Sequence, residues 1–191
     1  MKKVTLAALL LSVSSFAAAE YGTFGGINYS YYDGVGDSSG IDANAYSVQL
    51  GAKIIDGLVV DGITEFKEFD DVNVNQNRLE IGLTPSTKVY DDFGIYGRLA
   101  LGQNWLSGVG TEDFSYGSIE PGMFYDFGQG NVNLGYRYRD SFDDKYLYQT
   151  NSVVFGGEYK IDSVNSIVGN YQYMSGDEEF SVFSVGYRAN F

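Results

Sequence analysis

The chain is predicted to be all-β, an antiparallel up-and-down sheet of about ten strands (eight or twelve being the alternatives) closed into a barrel. Two observations predict it. Its 191 residues include 17 Tyr, 13 Phe and 25 Gly but 2 Pro; aromatic residues fit a pleated surface, and scattered glycines suit a sheet that curves tightly. Apolar and polar residues also alternate with period two in segment after segment, the signature of strands with two unlike faces.

The N-terminal segment stands apart from this pattern. MKKVTLAALLLSVSSFAAA begins with two lysines, runs apolar from Val4 to Val13 and closes on Ala17-Ala18-Ala19, which is the layout of a secretory signal peptide. The apolar run is too short to span a bilayer as a helix. Residues 1–19 are read as the signal peptide and 20–191 as one barrel domain, because no Pro/Ser-rich linker divides the rest. Removing the signal takes away two lysines and no acid, so the net charge moves from −13 to −15. This excludes the basic footprint of a nucleic-acid binder. The chain has no cysteine, so no disulfide staples the exported protein.

In chain order the strand segments are 21–32, 44–55, 58–69, 74–84, 93–105, 114–127, 131–140, 146–161, 164–174 and 180–191. The second sets Tyr46, Val48, Leu50, Ala52 and Ile54 against Ser47, Gln49, Gly51 and Lys53. The fourth sets Leu79, Ile81 and Leu83 against Arg78, Glu80 and Gly82, and the seventh sets Val132, Leu134, Tyr136 and Tyr138 against Asn133, Gly135, Arg137 and Arg139. In the sixth, Pro121 cannot donate to a ladder, which predicts a bulge or bend at Glu120-Pro121-Gly122. Asp56-Gly57, 128–130 and Asp162-Ser163 are tight turns, and 85–92 is a longer connection on the same side. The polar segments 33–42, 70–73, 106–113, 141–145 and 175–179 form loops at the other end.

The alternation fits either a soluble barrel with an apolar interior or a transmembrane barrel with an apolar exterior. Within strands the charged residues avoid the apolar parity: Asp61 and Glu65, and a lumen-lining set of Lys53, Lys67, Arg78, Glu80, Arg98, Glu120, Arg137, Arg139, Glu158, Lys160 and Arg188. The apolar parity carries rings near strand ends, among them Tyr29, Tyr31, Tyr46, Phe66, Phe93, Trp105, Tyr125, Phe127, Tyr138, Tyr159, Tyr171, Tyr173 and Tyr187. Tyr and Trp favour a membrane–water boundary, so the apolar face is expected to point outward. Eight of the ten basic residues outside the signal segment share the inward parity, which predicts a net positive lumen wall.

The last eight residues read SVGYRANF. Soluble domains usually end in a few polar, poorly ordered residues. Here Ser184, Gly186, Ala189 and Phe191 set a polar residue, a glycine and two hydrophobic positions in sequence, and Val185 and Tyr187 continue the outward face. With the signal peptide, this ending resembles the assembly signal of Gram-negative outer-membrane β-barrels. The resemblance covers the mature chain as architecture and is specific at its two ends; Ala189 is smaller than the usual occupant of its position. It implies the cell outer membrane as location, outer-membrane lipid and lipopolysaccharide as contacts, and delivery to the barrel assembly machinery. A monomer without cofactor or metal is expected. SIEPGMFYDF and NVNLGYRYR also resemble the small oligogalacturonate-specific porins. That resemblance implies lumen arginines at Arg78, Arg98, Arg137, Arg139 and Arg188 that attract anionic solutes, although that family uses more strands.

Three functions follow from this reading. The favoured one is a passive porin-like channel, whose basic lumen would focus small anions. Pairing of the same bases with Glu65, Glu80, Glu120 and Glu158 would instead plug a barrel this small, leaving a structural or surface-interaction protein. An enzyme is disfavoured, because outer-membrane barrel hydrolases largely rely on a histidine base and this chain has no histidine. The carboxylate pairs Asp70-Asp71, Asp91-Asp92 and Asp143-Asp144 read as solvated turns.

Overall fold

The computed structural model describes residues 22–70, 73–108, 113–142 and 148–191. The expected signal peptide, 1–19, and Asp71, Asp143 and Asp144 lie outside them. The described chain forms strands β1 (Thr23–Gly34), β2 (Ala43–Ile55), β3 (Leu58–Phe69), β4 (Asn75–Tyr90), β5 (Phe93–Ser107), β6 (Phe114–Asp126), β7 (Gly130–Ser141), β8 (Gln149–Lys160), β9 (Asn165–Gly176) and β10 (Phe180–Asn190), with one 3-10 turn at Gly36–Ser38. Each strand pairs antiparallel with its sequence neighbours, and β1 pairs with β10 to close the barrel.

Closure runs in register from Phe24↔Asn190 to Gly34↔Phe180. Beyond the ladder, Thr23 N donates to Phe191 O at 3.2 Å and Phe191 N returns a bond to Thr23 O at 2.8 Å. The terminal residue is therefore paired backbone, with its ring 70 % exposed. A closed barrel leaves no edge strand to recruit another chain.

Two expectations at prolines are corrected. Residues 85–90 continue β4 as strand, so the connection to β5 is the tight turn Asp91-Asp92, with Asp91 at φ 40°. Pro85 still pairs with Leu58 on the β3 side, where Ser86 N donates to Gly57 O at 2.7 Å. Its missing N–H is accommodated on the β5 side, where pairing lapses between Leu83↔Leu99 and Ser86↔Tyr96 and resumes in the same register. A register shift lies between Lys88 and Tyr90 in the hairpin that continues past it. Pro121 causes no bulge. Its register with β5 is unbroken through Arg98↔Glu120, Gly97↔Pro121 and Tyr96↔Gly122. Pairing with β7 lapses between Ile119↔Tyr138 and Gly122↔Gly135 and resumes in the same register. Locally skipping ladder bonds accommodates a residue that lacks a donor.

The outward face is an apolar belt in two zones. Ile27, Leu79, Ile81, Leu99, Leu101, Val153, Phe155, Ile167 and Val185 fill its middle, all at least 39 % exposed. Rings edge it: Tyr29, Tyr46, Phe66, Trp105, Tyr171 and Tyr173 toward the loops, and Phe93, Tyr125, Phe127, Tyr159 and Tyr187 toward the turns. The tyrosine hydroxyls bond away from the middle. On the loop side Tyr29 donates to Asn44 at 2.5 Å, Tyr136 to Asn151 at 2.7 Å and Tyr138 to Asp140 at 2.8 Å. On the turn side Tyr187 donates to Asn165 and Tyr159 to Gln129. Each phenol keeps its apolar body in the belt and its polar tip at the boundary, as a ring does at a membrane interface.

Candidate functional site in the barrel lumen

Inward positions carry the charges, but rings and small residues accompany them. The rings lie over glycines of the adjacent strand. A Cβ on Gly102 would stand 2.2 Å from the Tyr116 ring, and one on Gly122 would stand 2.4 Å from that of Tyr96. These glycines let bulky side chains lie flat along a narrow wall.

The loop-side half of the lumen is lined by buried side chains. Tyr32, Ala43, Ala45, Met174, Phe180 and Val182 form a buried cluster, with Ile41 and Phe69 against it. Lys67, 2 % exposed, lies within it. Its Nζ sits 4.2 Å from the centroid of the Tyr32 ring and 5.2 Å from that of Phe69, with Glu178 of the β9–β10 loop 3.7 Å away. Ring faces and a carboxylate together replace the water this ammonium gives up. The loops above are tied together: Val35 N and Asp37 N donate to Glu179, and Glu179 N donates to Ser38 Oγ.

Below that cluster an ion-pair network crosses the barrel. Arg78 pairs with Glu65 at 3.1 Å, and Tyr32 also donates to Glu65. Arg98 takes Asp61 at 2.9 Å and Glu80 at 2.5 Å, while Glu80 also accepts from Tyr116 at 2.7 Å and faces Arg139 at 3.4 Å. Arg137 donates to Glu120 at 2.7 Å, and Tyr96 shares that carboxylate. Arg188 donates to Glu158 at 2.6 Å and stacks 4.7 Å over Phe24.

The network corrects the expected positive wall. Lys67, Arg78, Arg98, Arg137, Arg139 and Arg188 are matched by Asp61, Glu65, Glu80, Glu120, Glu158 and the loop residue Glu178. Near-neutral balance follows because buried charge is tolerated only in pairs. Lys53 and Lys160 are placed at the exposed rim, where Lys53 pairs with Asp56 at 2.5 Å. The other nine residues of the lumen set come together inside. Rings on the charged parity, Tyr32, Tyr96, Phe114, Tyr116 and Phe180, complete the filling. Sequence reasoning missed them, although their shared parity with the charges was the available signal.

Side-chain exposure rises along the lumen, from 4 % at Arg139 through 18 % at Arg137 and 24 % at Arg188 to 48 % at Lys53 at the turn-side rim. A cavity of about 310 Å³ occupies this more exposed part, with Arg98, Arg137, Arg188, Asn133, Asn170 and Gly156 in its wall. Among the described residues the lumen is thus a vestibule, buried toward the loops and more exposed toward the turns. Among the described residues no group of three or more acidic side chains is placed to hold a metal ion.

No family model matches the chain, and no curated protein matches it. Solved structures share its fold. The β domain of the Bordetella autotransporter BrkA aligns with a TM-score of 0.62 at 10 % identity, covering 90 % of this chain and all of that one. An outer membrane channel from Pseudomonas putida F1 aligns with a TM-score of 0.57 at 9 % identity, covering 92 % of this chain and 97 % of that one. Closed sheet, outward apolar belt and polar interior are together the fold of an outer-membrane β-barrel.

Proposed function

We propose that this outer-membrane β-barrel is a sealed, non-conducting barrel, whose polar loops face the cell exterior and whose short turns face the periplasm. One observation carries the reading. Glu80, Asn104, Tyr116, Arg139 and Thr150, from five strands around the loop-side lumen, are each at most 3 % exposed. A water-filled channel would keep its lining wet; this wall is interior. The assignment of the signal peptide and of Phe191 as an assembly signal belongs to the same reading, as do contacts with lipid and lipopolysaccharide and a monomeric state. It is also read as non-enzymatic, since Asp61, Glu65, Glu80, Glu120 and Glu158 are each engaged by arginine. The test is planar-bilayer recording of the purified protein in concentrated KCl, where the seal predicts no stable conductance step.

The vestibule favours a second reading, the small porin. In that case the Lys67–Glu178 cap and the Arg139–Glu80 pair must part to join the vestibule to the exterior. Reproducible ohmic steps would support this reading, and anion preference would support arginine-based selection, against the charge balance of the wall.

A further inference from the structure

We infer that the turn-side vestibule is a binding site for a small, uncharged, polyhydroxylated solute of single-ring size. The arginines and glutamates of the vestibule wall are already paired with one another, so an incoming ion would have to break a pair to gain one. Apart from Arg78 Nε, which is buried without a hydrogen-bond partner among the described residues, amides and hydroxyls of the wall supply the remaining bonding capacity.

That capacity converges at one place. Gly156 of β8 lies between Asn133 of β7 and Asn170 of β9 in the same cross-strand row. A Cβ there would stand 2.8 Å from Asn133 Oδ1 and 3.4 Å from Asn170 Oδ1. Asn170 Oδ1 is buried without a hydrogen-bond partner among the described residues. The row continues through Ser184 and Ser30, whose hydroxyls meet at 2.8 Å. The Asn133 amide lies over Gly156 and, with the Asn170 carbonyl beside it, brings amide groups together on the cavity wall; an orphaned buried acceptor costs stability until a donor arrives. Hydroxyl groups supply such donors without bringing charge. The cavity, about 310 Å³, has room for roughly ten waters at about 30 Å³ each, which suits one sugar ring rather than an oligomer.

The seal bears only on the direction of entry. Binding in detergent does not depend on it, so the two proposals fail separately. The test is equilibrium dialysis of the detergent-purified full-length protein against radiolabelled glucose, with gluconate and glycine as competitors. Glucose is expected to bind saturably at one site with a Kd on the order of 1 mM, gluconate to compete less well than unlabelled glucose, and glycine not to compete. Gly156→Val displaces the Asn133 amide that lies over this glycine and is expected to weaken binding at least about tenfold. Asn170→Ala adds no bulk and is expected to weaken it about threefold or more. Heat-modifiable gel migration verifies that both variants are folded. No saturable glucose binding, unchanged affinity in a folded variant, or tighter binding of gluconate or glycine than of glucose would each overturn the proposal.

Discussion

Arg139 of β7 meets Glu80 of β4 at 3.4 Å across the lumen, past the two strands that separate them. Both side chains are at most 4 % exposed, and Glu80 also holds Arg98. Removing the carboxylate leaves two buried cations with less compensation than before. Glu80→Gln is therefore expected to cost about 3–5 kcal/mol, the usual penalty for breaking a buried ion pair from one side. The measurement is the temperature at which the folded, fast-migrating gel band is lost. An unchanged temperature would mean that the crossing pair does not hold the barrel together.

Gly102 and Tyr116 make a second test of the filled lumen. With the Tyr116 ring 2.2 Å from the position of a Cβ on Gly102, Gly102→Val forces the ring off the wall. The ring cannot shift freely, because its hydroxyl is bonded to Glu80 and Tyr116 is fully buried. Overpacking of this kind costs about 1–3 kcal/mol. The variant should show reduced folded yield, and Tyr116→Phe should lose only the hydroxyl contribution and fold better than Gly102→Val.

Trp105 is the only tryptophan in the chain, and it is 41 % exposed on the loop-side edge of the belt. If this ring lies at the bilayer boundary, lipids brominated near the headgroup should quench its fluorescence more strongly than lipids brominated near the acyl terminus. Equal quenching, or quenching by water-soluble iodide alone, would displace the belt from the membrane.

The β8–β9 turn carries a pH dependence. Asp162 accepts the side-chain amide of Asn165 and the backbone N–H groups of Val164 and Asn165, the latter two at 2.8 Å. These bonds, that of the Asn165 side chain first, hold its carboxyl below the usual aspartate range. A depressed folded pKa means the turn is favoured above the ordinary aspartate pKa and loses that support as pH falls through the lowered value. Amide exchange at Val164 and Asn165 should therefore accelerate on acidification in the wild type, relative to the chemical rate, and should not do so in Asp162→Asn.

The strand order and most boundaries were legible in the sequence because period two persists through every segment and the turn residues punctuate it. The prolines were harder. Whether Pro85 and Pro121 break strands depends on which neighbour the missing donor faces and whether that ladder can skip a bond and resume in register, neither of which is a local property. The lumen set was legible as a parity, but its electrostatic sum was not. Counting bases by parity gave a positive wall; pairing Arg98 with Asp61 on β3, or Lys67 with Glu178 from a loop, requires the closed sheet. Rim positions such as Lys53 obey the inward parity and yet reach water, because parity assigns a face and not a depth.

The claim that the lumen is stopped at the loop face and open at the turn face is tested most directly by sided labelling. The chain has no cysteine, so Ser47→Cys in the vestibule wall provides a single thiol. A small, charged methanethiosulfonate reagent is applied to intact cells or after the outer membrane has been permeabilised, and labelling is read by mass spectrometry of the purified protein. A lumen stopped at the loop face gives little labelling in intact cells and full labelling once the periplasmic side is reached. Rapid labelling of intact cells, in which the general porins have been deleted to keep the reagent outside, would contradict that claim.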